Sequence, residues 1–183
     1  MFKPKIGEII PDLKINWKPA PYPVVDDNAV RAWAWLMFIV WLVAFVFSLT
    51  THTPDLAIVL VPIITFDLFI KVLFWPKYSP FMIMWKYLVR DKKPEYVWAK
   101  QKQFAWILWL LIAFIVLWFL MILGKCGPAM LFCLICLIFM WAEAVLWNCI
   151  WCNIYAKLRD KGHIEEEEYA PVCAWGSCDI KNR

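Results

Sequence analysis

The chain has 183 residues, 63% of them hydrophobic, and a formal net charge of +4 from 19 Lys/Arg against 15 Asp/Glu. A water-soluble domain does not collect that apolar content in four long blocks, so composition excludes an ordinary soluble fold. The basic excess does not mark a nucleic-acid surface either, because the lysines flank apolar blocks instead of forming one basic domain.

The first 28 residues are polar and carry Pro4, Pro11, Pro19, Pro21 and Pro23. No early apolar core is present, so no cleavable leader is expected. Proline at that density removes backbone donors and forbids a regular helix; an extended strap along one membrane face is predicted. Asp26, Asp27 and Asn28 then offer N-cap oxygens to the first helix. Apolar blocks follow at about 30–50, 56–75, 104–123 and 129–147. About 20 residues at 1.5 Å each cross a hydrocarbon core of about 30 Å. The predicted fold is therefore an all-α membrane domain over about 29–156, with Thr53-Pro54 capping the second crossing. No internal repeat relates the two helix pairs.

Orientation is read from the charges. Of the 19 Lys/Arg, only Lys125 falls in the loops after the first and third crossings. Positive loops stay in the cytoplasm, so a multi-pass protein with both termini cytoplasmic is predicted. Between the second and third crossings, Ser79-Pro80 starts a segment of about 80–90 in which Phe81, Met84, Trp85 and Leu88 recur at helical spacing. It is too short to span and is predicted to lie flat at the inner interface. Trp75, Trp85, Trp98, Trp147 and Trp151 fall near that surface, where an indole buries its ring and keeps its N–H wet.

Seven cysteines carry the clearest chemistry. Cys149-Ile-Trp-Cys152 is read as ending the fourth helix, and Cys173 and Cys178 lie in the 157–183 tail. In a cytoplasmic compartment permanent disulfides are rare, which favours thiol redox, sulfur-carrying or metal roles for these four. Two pairs joined by a short tail can also fold into one four-thiolate site for Zn or Cu(I), and small apolar filler is the plain third reading. A helix C-terminus disfavours a thiolate, so this placement argues against activation by helix polarity. Cys133 and Cys136, inside the fourth crossing, read as packing residues.

Charges within the crossings are the second signal. Asp67 and Lys71 stand at i,i+4 and face one side of the second helix. Arg31 enters the first crossing, and Glu143 sits six residues before Cys149, close enough in sequence to exchange protons with a thiol. The four charges sum to zero, as a paired buried network requires, although Arg31 and Lys71 could also snorkel to the interface. His52 and His163 have no partners at ligand spacing, and 165–168 is a solvated acidic run. With five glycines the chain has no phosphate-cradling loop, and it has no haem-attachment motif.

Several of these segments carry a resemblance: Asn28-Ala29-Val30-Arg31, Phe66-Asp67-Leu68-Phe69-Ile70-Lys71, Tyr78-Ser79-Pro80 and Gln101-Lys102-Gln103-Phe104-Ala105-Trp106. With the Cys-x-x-Cys ahead of Tyr155 and the Cys173/Cys178 pair, the chain resembles an uncharacterised bacterial four-helix integral-membrane family, a domain of unknown function. The resemblance covers nearly everything after the strap. It implies a bacterial inner-membrane location and a rhodanese-like or thioredoxin-like cytoplasmic partner. Relatives usually have Gly where Trp151 stands, which bears on access to Cys152. The expected function is a thiol relay carrying reducing equivalents or sulfane sulfur on the cytoplasmic face. Membrane lipid is a partner and nucleic acid is not. The alternatives are an accessory subunit of a larger membrane complex and a soft-metal binding or transport protein.

Overall fold

The computed structural model describes residues 14–15, 18–19, 23–74, 76–92, 95–123, 126–146 and 149–162. The tail cysteines Cys173 and Cys178 lie outside the described residues, as do most of the proline-rich segment, Trp75 and Trp147. Among the described residues there are six α-helices: α1 (Asp27–Thr51), α2 (Asp55–Leu73), α3 (Pro80–Leu88), α4 (Ala99–Leu117), α5 (Cys126–Val145) and α6 (Ile150–Asp160). A π-helical turn, Trp118–Ile122, extends α4. With that extension, α1, α2, α4 and α5 are each long and apolar enough to cross a membrane.

Apolar burial gives little drive between helices in lipid, so packing and polar contacts must hold the bundle. Small residues supply the packing. Ala29, Ala34, Ala57, Ala99, Ala113 and Ala129 are all buried in one core with Trp33, Trp41, Trp106 and Trp109. α1 lies along α5 and α2 along α4, with further contacts between α1 and α2. Trp35, Trp118 and Trp141 turn outward with many other large apolar side chains, as a lipid-facing surface requires.

Short strands fix how the helix starts meet. β1 (Lys14–Ile15) pairs with β2 (Lys18–Pro19). β3 (Val24–Asp26) runs antiparallel to β4 (Tyr96–Trp98), with Val25 opposite Val97. The Asp27 N–H donates to the Glu95 carbonyl at 2.6 Å, and the Ala99 N–H to the Pro23 carbonyl at 3.0 Å. The first residues of α1 and α4 are thereby locked side by side. Asp26 is the N-cap of α1, its Oδ1 accepting from the N–H of Asn28 at 3.0 Å and of Glu95 at 3.3 Å. Burial pushes its carboxyl up, against the pull of those two N–H groups.

α3 begins as its Ser-Pro start requires. Ser79 Oγ accepts from the Met82 N–H at 3.2 Å, and Pro80 takes the first helical position. Its inward face differs from the expected stripe. Met82 is buried and Phe81, Trp85 and Val89 pack on the core, while Met84 and Leu88 are exposed. In a chain with lipid on one side and protein on the other, apolar residues serve both faces, so hydrophobicity alone does not mark the inner one.

Two expectations about helix ends are corrected. Pro54 is itself the N-cap of α2, without a side-chain bond, so Thr53 does not cap that helix. The fourth crossing stops at Val145 and a separate helix begins at Ile150. Cys149 and Cys152 therefore start the last helix; they do not end the fourth.

Candidate functional site

Cys149 is the N-cap residue of α6, with extended backbone at φ −80° and ψ 99°. The Cys152 N–H donates to Cys149 Sγ at 3.3 Å, so sulfur takes the place of the usual capping oxygen. The Asn153 N–H closes the first turn onto the Cys149 carbonyl at 3.0 Å. Cys149 and Cys152 are joined in a disulfide. Cys149 stands at the positive end of α6, and not at the negative end of a helix as expected from sequence.

Three elements hold this turn in place. Ala105 of α4 packs against both sulfur-bearing residues. Gln101, one turn earlier on α4, donates from Nε2 to the Cys152 carbonyl at 3.4 Å. Tyr155 meets Trp98 edge-on at 5.7 Å and Phe104 at 5.3 Å between ring centroids. Trp151 packs against Phe139 at 5.0 Å and Trp109 at 6.1 Å. The indole that stands between the cysteines is therefore turned into the bundle. Cys149 keeps 8% of its surface exposed and Cys152 only 2%, so an incoming group meets Cys149 first.

Beneath this turn the ends of α1, α2, α4 and α5 bring six charges together. Asp67 is the hub of one half. Its Oδ2 receives Trp33 Nε1–H at 3.2 Å and lies 3.0 Å from Lys71 Nζ. Its Oδ1 receives Ser79 Oγ–H at 2.5 Å and the Phe81 N–H at 3.4 Å. Lys71 is 0% exposed, so it does not snorkel; its ammonium sits 3.4 Å above the centre of the Trp33 ring. One carboxylate thus ties α1, α2 and α3 together.

Lys102 is the hub of the other half. Its Nζ lies 3.0 Å from Asp27 and 3.3 Å from Glu143. Asp27 also pairs with Arg31 at 2.5 Å, and Arg31 reaches Glu95 at 3.5 Å. Apart from the partly exposed Glu95, Arg31, Asp27, Lys102 and Glu143 form one alternating run and Asp67 with Lys71 a second, three cations and three anions in all, a neutral arrangement suited to low dielectric.

Arg31, Asp67, Lys71 and Glu143 are accordingly gathered at one end of the bundle, each with an opposite charge. Sequence reasoning missed Asp27 and Lys102. Asp27 stands at i,i+4 to Arg31, a signal that was available; Lys102 looked like a loop charge, because only the β3–β4 pairing puts it beside Asp27. Cys133 and Cys136 are buried free thiols in the middle of α5. Among the described residues no group of three or more His, Cys, Asp or Glu could hold a metal ion. The four-thiolate reading needs Cys173 and Cys178, outside the described residues.

Fold and site define a four-span helical membrane protein with a buried neutral ion network and a cysteine pair opening its final helix. A family described as a domain of unknown function (DUF4395) matches residues 25–160, and the chain belongs to it. No curated protein and no solved structure matches the chain.

Proposed function

We propose that the protein is a membrane-embedded thiol–disulfide relay working at the Cys149–Cys152 turn. The observation that carries the reading is the position of the pair at a helix start, with Cys149 Sγ accepting an N–H bond and Cys149 holding most of the pair's small exposure. A thiolate of a dithiol partner attacks Cys149 Sγ, breaking the Cys149–Cys152 bond and forming a mixed disulfide. Cys152 leaves as thiolate and takes a proton. The partner's second thiolate then attacks its own sulfur in the mixed disulfide and expels Cys149, whose thiolate the α6 N-terminus favours. Two electrons and two protons pass from the partner dithiol to the protein; a disulfide-bearing acceptor takes them by the reverse exchange.

The tail pair Cys173/Cys178 is the proposed intramolecular partner, with a soluble thioredoxin-like or rhodanese-like protein beyond it. About 20 residues of flexible chain have a mean span of about 25 Å, enough to return to the start of α6. The proposed location is a cytoplasmic membrane with both termini inside, supported by the Lys/Arg distribution. Position 126 should then be labelled from outside intact cells and position 173 should not.

Mild oxidation of the reduced full-length protein tests the relay. Peptide mapping should find Cys149 or Cys152 crosslinked to Cys173 or Cys178 within one chain. Joint protection of the four thiols, reversed by a chelator, would replace the relay with the metal reading. Absence of both, with the pair inert to added thiols, would end the thiol proposal.

A further inference from the structure

A cavity of about 650 Å³ lies away from the cysteines, between β3, α3 and the start of α1. Its wall is split by chemistry. Val24, Val25, Ala29, Met82, Ile83 and Val89 form an apolar part, and Lys77, Lys86, Arg90 and Lys92 supply four cations. Among the described lining residues the carboxylate is Asp26, whose Oδ1 is already engaged by two backbone N–H groups, and outside the lining Asp91 lies 3.8 Å from Arg90. The site is therefore built for an anion with an apolar body.

The surroundings indicate what kind. Ile83 is 55% exposed, Tyr87 66% and, at the end of α2, Phe74 65%. These side chains continue the lipid-facing surface of α2 onto α3, at the end of the bundle where the crossings stop. A free phosphate would use the cations and leave that apolar wall without a role. A phospholipid uses both: its phosphate meets the lysines and arginine, and its glycerol and upper acyl chain lie along Ile83 and Tyr87. Lys77 and Arg90, both in the wall, each lie over a tyrosine ring, Tyr78 at 5.0 Å and Tyr87 at 4.5 Å.

We propose that this cavity is a specific binding site for the headgroup of an anionic phospholipid, with α3 as its floor. It is independent of the thiol chemistry. A bound anionic lipid would clamp α3 against β3 and the start of α1, the same corner that Asp67 and Ser79 hold from the inside.

The test uses the full-length protein in nanodiscs of phosphatidylcholine with a minor fraction of phosphatidylglycerol, read by native mass spectrometry after release. One phosphatidylglycerol should be retained per chain in preference to phosphatidylcholine. Each removed cation should weaken retention about fivefold, so Lys86→Gln/Arg90→Gln should lose about 25-fold. Both side chains are exposed, and folding should be unaffected. Ile83→Trp, which narrows the mouth and keeps every charge, should also displace the lipid. Arg159→Gln, on α6, should not. Equal retention of the neutral lipid, or unchanged retention in both cavity variants, overturns the proposal. Displacement of the lipid by millimolar inorganic phosphate alone also overturns it, since that would make the site one for free phosphate.

Discussion

Two cysteine pairs in this chain have identical spacing and different fates. Cys133 and Cys136 stay as separate thiols within α5, while Cys149 and Cys152 are joined at the start of α6. In a helix interior, side chains three apart lean the same way along the axis and every nearby N–H is already used. At an N-cap the first residue has left helical geometry, its side chain can swing toward the third helical residue, and the first-turn amides are free to donate. Spacing alone is therefore not the chemistry. What separates the pairs is the break between Val145 and Ile150 that turns one of them into a cap.

The sharpest way to break this comparison is to remove each pair in turn by mutation. Cys149→Ser or Cys152→Ser should abolish the dithiothreitol-dependent gain of two maleimide-reactive thiols from this turn, measured as a gel shift in a background without the tail cysteines. Cys133→Ser with Cys136→Ser should leave that gain intact. If the α5 pair proved to be the one that cycles, the cap argument would fail.

A second contrast sets the disulfide turn against the ion network below it. Asp67→Asn leaves Lys71 buried beside a neutral amide and weakens four contacts to α1, α2 and α3. Loss of one partner of a buried pair costs about 3–5 kcal/mol. Thermal unfolding in detergent should show a large drop, with the midpoint of thiol reduction unmoved in the folded fraction. Asp67→Asn with Lys71→Met should recover part of the loss, because the uncompensated ammonium is gone. A redox midpoint that moved with Asp67 would join the two regions into one device.

Trp151 lies at their junction, and its removal should act on both at smaller scale. Its ring packs on Phe139 and Trp109, so Trp151→Gly should cost about 2 kcal/mol, below a full core truncation because the side chain is partly buried. It should also open Cys152, raising the rate of reduction by dithiothreitol about tenfold. An unchanged rate would mean that Gln101 and Ala105, not the indole, control access.

The sequence was legible where one physical signal acts over many residues. Twenty apolar residues in a row leave no alternative to a crossing, and Asp67 with Lys71 needed only helical periodicity. The break before Cys149 was not legible. Leu146 and Trp147 continue the apolar run, and neither glycine nor proline punctuates it, so the helix reads as unbroken. Lys102 was hidden for another reason: its partner Asp27 is distant in sequence, and the strands that align them are three residues long. Short non-local pairings leave too little pattern to read.

Glu143 gives the smallest and most discriminating effect. By sequence distance it could serve Cys149 as a proton partner. In the fold its carboxylate is held by Lys102 at 3.3 Å, and Lys102 keeps Asp27 as a second anion when Glu143 is neutralised. Glu143→Gln should therefore destabilise less than Asp67→Asn, by about 1–2 kcal/mol, since no cation is left wholly unpaired. Protons for the exchange then come from the exposed side of the α6 start, and the alkylation rate of Cys149 against pH should keep its midpoint within about half a unit. A displacement of a full unit or more in a folded Glu143→Gln protein would make Glu143 the proton partner of the thiols and extend the reactive centre from the α6 cap down into the ion network.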